Sequence, residues 1–495
     1  MIWLKKIGVL FLCLIFFVSI VYGYPSSWAP RIDLDANENA NVVAWGQNSE
    51  GGLARTYFFK HSGTFSVPLL APVQFSCGSM NQGPDMAVDI NGDVHVTVYG
   101  YSSGYKMWYS KLNGETLTPI INCKLVESTP AHFPASLDYR DASVAADLGG
   151  NAHIVLAKSS KAYYYKINGT NGNFLVNDLQ INNAGSVYSA PDLVLDSNDN
   201  VHIVWTQGQL VYTKIEGDGL NVGDPIIDDI IIDSDSDNEW ASIALDNNGD
   251  VHVAWLQEGV APNYNRVNYA KVGGTNGDIL ISPVPMDLDY SNIVWWGPPG
   301  IAVDGDGNAH VVSEKAPLTG GSVLNYHNYS WVDYLKINGN TGSILIPEFK
   351  IAPNNASIPS VDVDENGNAH IVWQKYIRNG DSFYYKSFYT KLNGDNGDLI
   401  FTDIPLGDGP IGEPACSDGT LFGQCTETRP YICQAGELVE NCQVCGCPRN
   451  RACKPDGTCL ASKVKKTAMP LFSAVQEGVQ KDIITRIVYF FKGLF

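Results

Sequence analysis

The chain has 495 residues, 44% hydrophobic and only 17% charged, so it is a folding sequence too long for one core of ordinary size. Lys and Arg total 32 against 52 Asp and Glu, a formal charge of −20 that repels phosphate backbones and argues against a nucleic-acid partner. Its 48 glycines, 26 prolines and 11% aromatics point to a turn-rich all-β protein rather than a helical one.

Residues 1–23 carry Lys5 and Lys6, an apolar run from Ile7 to Val21 and then Tyr22 and Gly23. This is the layout of a secretory signal peptide, and it predicts a secreted or cell-surface protein. Cys13 lies inside it. The other ten of the 11 cysteines are Cys77 and Cys123, which stand apart, and eight between Cys416 and Cys459. An even number in an exported chain predicts disulfides.

Residues 24–415 are predicted to be one repeat domain. Three clear copies are Asp192-Leu-Val-Leu-Asp196-Ser-Asn-Asp-Asn-Val-His202-Ile-Val-Trp205, Ser242-Ile-Ala-Leu-Asp246-Asn-Asn-Gly249-Asp-Val-His252-Val-Ala-Trp255 and Ser360-Val-Asp-Val-Asp364-Glu-Asn-Gly367-Asn-Ala-His370-Ile-Val-Trp373. Weaker copies place the aspartate at Asp89, Asp147 and Asp304, and a divergent first copy has Asp35 with Asn41 in the histidine position. The seven aspartates define repeats 1 to 7, with a mean period of about 55 residues. A second signature, aromatic-x-Lys before a Gly-rich turn, ends at Lys60, Lys111, Lys166, Lys214, Lys271, Lys336 and Lys391.

Each repeat therefore predicts four strands. Strand a is short and built of small residues, and the Asp-x-Asn-Gly turn leads to strand b, which is apolar on both faces. Strand c carries the aromatic-x-Lys, and a Gly-rich turn leads to strand d. Such turns make antiparallel hairpins, and burial on both faces requires sheets packed face to face. The expectation is a seven-bladed β-propeller with strand a beside the axis. Uniform a–b and c–d turns mark one end of every blade. The variable b–c and d–a connections mark the other, where binding normally sits.

The Asp-x-x-Gly-Asn-x-His-Val-x-Trp copies over about 31–415 resemble secreted propellers of the sialidase-like kind, and more loosely the NHL repeat. The resemblance implies the fold. The Asp-box spacing Ser-x-Asp-x-Gly-x-x-Trp of sialidases is not matched. The propeller region holds Arg31, Arg55, Arg140, Arg266 and Arg378 in no motif resembling the arginine cluster that grips a sialidase substrate.

His95, His153, His202, His252, His310 and His370 occupy one repeat position, which favours a structural role in bonding the neighbouring turn or blade over a ring of metal ligands. The lysines read as pillars paired to repeat carboxylates. In the Asp-x-Asn-Gly-Asn turns the glycine comes fourth, not sixth as in a calcium loop, so hairpins are expected there. The candidate cation site is Asp233, Asp235, Asp237 and Glu239, and calcium is the cofactor it would take. Candidate ligand-binding aromatics are Trp28, Tyr139, Tyr188, Trp240 and Trp296 before strand a, with Tyr326 and His327 in the longest b–c loop. Packing between blades is their alternative use.

Residues 416–460 form a cysteine-rich module with Cys416, Cys425, Cys433, Cys442, Cys445, Cys447, Cys453 and Cys459, too small to hold together without disulfides. Their spacing does not choose a pairing. Residues 461–495 hold six basic and two acidic residues, and Phe472, Val475, Val479, Ile483, Ile487, Phe490 and Leu494 recur at helical spacing. This predicts a basic linker and an amphipathic helix suited to a membrane surface, a partner or the propeller itself. The functional expectation is an exported, non-catalytic propeller that binds a glycan or protein through its variable loops. A sialidase-like hydrolase or polysaccharide lyase is the alternative.

Overall fold

The computed structural model describes residues 26–406 apart from 48–54, 65–66, 79, 130–141, 183–184, 188, 261–263, 287–292, 295–297, 318–329, 353–354 and 380–381, together with parts of 426–461. The chain divides into two compact units, Met1–Ile411 and Gly412–Phe495. All elements described are strands.

In the first unit, repeat 1 forms a sheet of β1 (Ser26–Leu34), β2 (Ala40–Gln47), β3 (Arg55–His61) and β4 (Pro68–Phe75) in that order. Repeat 2 follows with β5 (Met80–Val88), β6 (Val94–Tyr101), β7 (Tyr105–Leu112) and β8 (Pro119–Glu127). Repeat 3 has β9 (Ala142–Ala146), β10 (Ala152–Lys158), β11 (Lys161–Ile167) and β12 (Phe174–Gln180). Repeats 4 and 5 share a continuous sheet of β13 (Asp192–Leu195), β14 (Val201–Ile215), β15 (Pro225–Leu245), β16 (Val251–Val260), β17 (Tyr264–Val272) and β18 (Ile279–Pro285). Repeat 6 comprises β20 (Gly300–Val303), β21 (Ala309–Pro317), β22 (Trp331–Ile337) and β23 (Ile344–Ala352), with the two-residue β19 (Ile293–Val294) also on β21. Repeat 7 has β24 (Ala356–Val363), β25 (Ala369–Asn379), β26 (Ser382–Leu392) and β27 (Leu399–Pro405). All pairings are antiparallel, so strands a to d of each repeat lie side by side in chain order.

The continuity of repeats 4 and 5 departs from separate four-stranded units. β14 carries both strands b and c of repeat 4 through Gly208 (φ 84°). β15 runs from strand d of repeat 4 into strand a of repeat 5, because the acidic segment is itself extended and pairs Asn238 with both Gly208 and Gln257.

The a–b turns form as their composition dictates. In repeat 7 the Gly367 N–H donates to Asp364 O at 2.9 Å, and the Asp364 N–H donates to Asn368 O at 3.0 Å. Gly367 has φ 76°, a left-handed conformation that glycine adopts without strain. Side chains on both faces of strand b then disappear between adjacent sheets, and Trp205, Trp255 and Trp373 are fully buried. One core cluster joins the first and last repeats, with Ile32, Val42, Tyr57 and Phe59 against Val372, Tyr389 and Leu406.

The second unit contains two hairpins among its described residues, β28 (Tyr431–Gln434) with β29 (Glu437–Glu440) and β30 (Arg451–Cys453) with β31 (Cys459–Ala461). Disulfides join Cys442 to Cys453 and Cys447 to Cys459. The sulfurs of Cys442, Cys447 and Cys459 lie within 4.8 Å of one another, but all three are oxidised and hence are not thiolate ligands. Cys416, Cys425, Cys445 and the side chain of Cys433 lie outside the described residues, as do the signal peptide and the amphipathic segment. In the first unit Cys77 is bonded to Cys123.

Candidate functional site

The repeated polar residues converge on the aspartate that opens each a–b turn. In repeat 7, Asp364 Oδ1 accepts from the N–H groups of Asn366 and Asn368 at 3.0 and 2.8 Å. Its Oδ2 is met by His370 Nε2 at 3.1 Å and by Lys391 Nζ at 2.8 Å. Tyr389 Oη lies 2.6 Å from His370 Nδ1. Burial alone would raise the Asp364 carboxyl, but bonds from His370, Lys391 and Asn368 outweigh it and hold the group well below the usual carboxylate range. Burial likewise pushes the His370 imidazole down, against the pull of Asp364. A neutral ring with its proton on Nε2 satisfies every partner: Nε2–H donates to the carboxylate and Nδ1 accepts from the tyrosine hydroxyl.

The same tetrad is built in repeats 2 to 6. The His–Asp distances are 3.3, 3.2, 3.3, 3.5 and 3.2 Å at His95, His153, His202, His252 and His310. Their tyrosines are Tyr109, Tyr164, Tyr212, Tyr269 and Tyr334, all at 2.8–2.9 Å. Repeat 1 replaces both partners together. Asn41 stands for the histidine and Phe58 for the tyrosine, so the hydroxyl disappears along with the ring nitrogen it would serve. Asp35 keeps its lysine, Lys60, at 2.9 Å.

The lysines do more than neutralise their aspartates. Lys60, Lys166, Lys214 and Lys336 each donate on to a turn glycine of the next repeat, at Gly114, Gly217, Gly274 and Gly394, over 2.7–2.9 Å. That glycine stands three positions after the repeat lysine. A Cβ at Gly394 would sit 1.6 Å from the carbonyl oxygen of Gly367, so no other residue fits the turn. The chain thus repeats Lys-x-x-Gly, a finer pattern than a generally Gly-rich turn.

Strand a from every repeat lines a central cavity of about 360 Å³. Most lining positions are Ala, Ser, Val or Gly, but Asp33, Asp85, Asp192 and Asp362 also face it, together with Arg31. These acids reach sideways to the next repeat. Asp33 Oδ2 accepts from the Val88 N–H at 2.6 Å, Asp85 Oδ2 from Val144 at 3.0 Å, Asp192 Oδ2 from Ile243 at 3.2 Å and Asp362 Oδ2 from Leu34 at 2.8 Å. Arg31 Nε stands 4.0 Å from Asp85 Oδ1. Burial, then the charge of Asp362, push the Asp33 carboxyl well up. Reading strand a column by column would have found these acids, at two and four positions before the repeat aspartate. Treating that strand as uniformly small hid them.

The anticipated ligand-binding aromatics are only partly described. Tyr139, Tyr188, Trp296, Tyr326 and His327 lie outside the described residues, and Trp28 is placed only as a backbone partner of Trp45. Trp240 is 6% exposed and packs with Leu256, Val267 and Met286 in the core, so its ring does not face a ligand. Its φ of 44°, at a bulge between Glu239 and Ala241, turns the side chain inward. Asp233, Asp235, Asp237 and Glu239 are strung along β15, and among the described residues no three of them bring oxygens within 4.8 Å of one another. Asp235 accepts instead from the Gln257 side-chain amide, and the Asp237 N–H donates to Asp235 Oδ1 at 3.3 Å.

No protein-family model and no curated protein matches the chain. Solved structures similar to it include an ulvan lyase of a new polysaccharide lyase family, at 10% identity and a TM-score of 0.47, covering 78% of this chain and 96% of that one. Another is the β-propeller domain of the Trilobed protease from Pyrococcus furiosus, at 11% identity and a TM-score of 0.41, covering 78% and 98%. The NanB sialidase from Streptococcus pneumoniae is similar at 8% identity and a TM-score of 0.39, covering 78% and 69%.

Proposed function

We propose that the chain is an exported seven-bladed β-propeller with a small disulfide-bonded module, and that it binds a glycan at its variable-loop end without cleaving it. The recurring His, Lys and Asp side chains serve the joints between blades. The disulfides Cys77–Cys123, Cys442–Cys453 and Cys447–Cys459 suit an oxidising compartment.

The observation that carries this reading is that the acids of the central cavity are committed to the scaffold: Asp33 accepts from the Val88 N–H at 2.6 Å and Asp362 from the Leu34 N–H at 2.8 Å, each in the neighbouring repeat. A glycosidase pair flanks the scissile bond with its carboxyls about 5–9.5 Å apart, whereas these two carboxyls serve the joints between repeats. The hydrolytic reading has one observation in its favour, since Asp33, its carboxyl pushed up by burial, shares the central cavity with Asp362, and a glycosidase needs two carboxyls of which one stays protonated. The experiment is to screen the purified mature chain on an array of neutral and acidic glycans and to assay each bound glycan for chain shortening or unsaturated ends. Binding without product supports the proposal. Product formation abolished by Asp33→Asn or Asp362→Asn would establish the enzyme instead.

A further inference from the structure

The b–c hairpin of repeat 2 carries an aromatic arrangement that the repeat pattern does not explain. β6 and β7 turn tightly through Ser103 and Gly104, whose φ angles are 55° and 120°, and Tyr101 pairs with Tyr105 across the hairpin end. Both rings are nearly half exposed, at 46% and 45%. Among the described residues of the first unit no other aromatic side chain is as exposed. Their centroids are 5.4 Å apart with the planes at 80°, so the rings form a corner rather than a flat stack.

This corner is held from beneath and from the side. Tyr105 stacks on Tyr99 at 5.0 Å and 22°, and Tyr99 is only 1% exposed. The adjoining loop approaches so closely that a Cβ on Gly78 would lie 3.0 Å from the Tyr101 carbonyl oxygen. Cys77, the neighbour of Gly78, is bonded to Cys123 on β8. The Arg55 guanidinium donates to Ser76 Oγ at 3.2 Å and to the Gly78 carbonyl at 3.4 Å, which ties that loop to β3.

We infer that the Tyr101–Tyr105 corner binds a neutral hexopyranose unit of a glycan. The inference rests on the glycan-binding function proposed above and names the site and ligand class. The electron-rich faces of tyrosine attract the polarised C–H groups on the apolar face of a pyranose, while the phenol groups meet its hydroxyls. Rings already fixed in place lose little freedom on binding, which favours a small ligand. A protein partner needs about 800 Å² on each side, far more than two half-exposed tyrosines offer. Polyanionic glycans meet the field of a chain with net charge −20, whereas neutral sugars do not.

The test uses the intact chain on immobilised neutral, uronate-bearing and sulfated glycans, with Tyr101→Ala/Tyr105→Ala, Tyr105→Phe and the repeat 7 control Tyr376→Ala. Circular dichroism and thermal melting establish that each variant folds. Neutral glycans should bind with little salt dependence. The double alanine variant should lose about tenfold or more in affinity, and Tyr105→Phe, which keeps the ring and loses its hydroxyl, should lose less than that, with the control Tyr376→Ala close to wild type. Unchanged neutral-glycan binding by the folded double variant refutes the site but leaves the proposed function standing. Binding confined to acidic glycans refutes the ligand class. Absence of any glycan binding by the wild-type chain overturns both. If the double variant does not fold, loss of binding by folded Tyr105→Phe equal to that of single Tyr105→Ala argues against ring stacking, and retention supports it.

Discussion

Lys391 donates to the carbonyl of Gly63, a residue 328 positions earlier in the chain, over 3.0 Å. The last repeat thus grips the first with the contact that Lys60 makes to Gly114 and Lys336 makes to Gly394 between successive repeats. Nearby, Asn366 Nδ2 donates to Glu38 Oε1 at 3.1 Å and the Ala29 N–H donates to Gln374 Oε1 at 2.8 Å.

Removing that lysine should be costly because its aspartate stays behind. The Asp364 side chain is inaccessible to solvent, and Lys391→Met leaves it without a cation. Loss of one partner from a buried pair costs about 3–5 kcal/mol. Urea unfolding should show such a loss for Lys391→Met and a similar one for Lys271→Met inside the ring. A change below about 1 kcal/mol in both would remove the clasp from the account.

His252→Ala should destabilise by about 1–3 kcal/mol, since Asp246 and Tyr269 each lose a buried partner. The complementary experiment restores the tetrad in repeat 1. Asn41→His with Phe58→Tyr should be more stable than the two single changes add up to, by about 0.5–3 kcal/mol of coupling. Strict additivity in a double-mutant cycle would mean that the histidine and tyrosine do not act as a pair.

Glu314 on β21 is 5% exposed, and burial pushes its carboxyl up to about 8 despite the Ile358 N–H that it accepts at 3.2 Å. The unfolded chain releases this proton near pH 4.3, roughly the free glutamate value, while the folded chain keeps it. The folded state therefore binds more protons between about pH 4.3 and 8, and stability falls as pH rises through that window. Asp33, also raised, adds to the same slope, whereas the depressed repeat aspartates act below the normal carboxylate range, where stability falls as pH falls. Glu314→Gln should flatten the decline between pH 5 and 8 in chemical denaturation. An unchanged slope would show that the carboxyl does not titrate there.

The bond between Cys77 and Cys123 spans 46 positions, from the loop between repeats 1 and 2 to the outer strand β8. Replacing both cysteines with serine should lower stability by about 2–4 kcal/mol through the freed unfolded chain. Melting with and without a thiol reductant checks this. The reductant should shift wild type and leave the double serine variant unmoved on this account.

The strand order was legible because Asp, His, Tyr and Lys recur in fixed columns, and turn glycines separate the hairpins. The partners of those residues were not legible as a set, because the tetrad closes across strands that are 10 to 24 positions apart. Asp33 and Asp362 were hidden among small residues, and nothing local shows that the first and last strands a meet. Trp240 looked like a loop aromatic until its positive φ turned the ring into the core. Tyr101 and Tyr105 read as ordinary strand residues, since exposure at a hairpin tip depends on how far the hairpin extends past its neighbours.

Each repeat sheet is assembled from consecutive residues, with β1 to β4 at one end and β24 to β27 at the other. During synthesis an N-terminal arc can therefore stack blade on blade, but its first face stays wet until the last blade emerges. Val42, Tyr57 and Phe59 wait for Val372, Tyr389 and Leu406. A chain truncated by one repeat would leave two oily flanks uncovered at once, the surface that chaperones and proteases detect. Ring closure thus makes completeness of the polypeptide a condition of its survival.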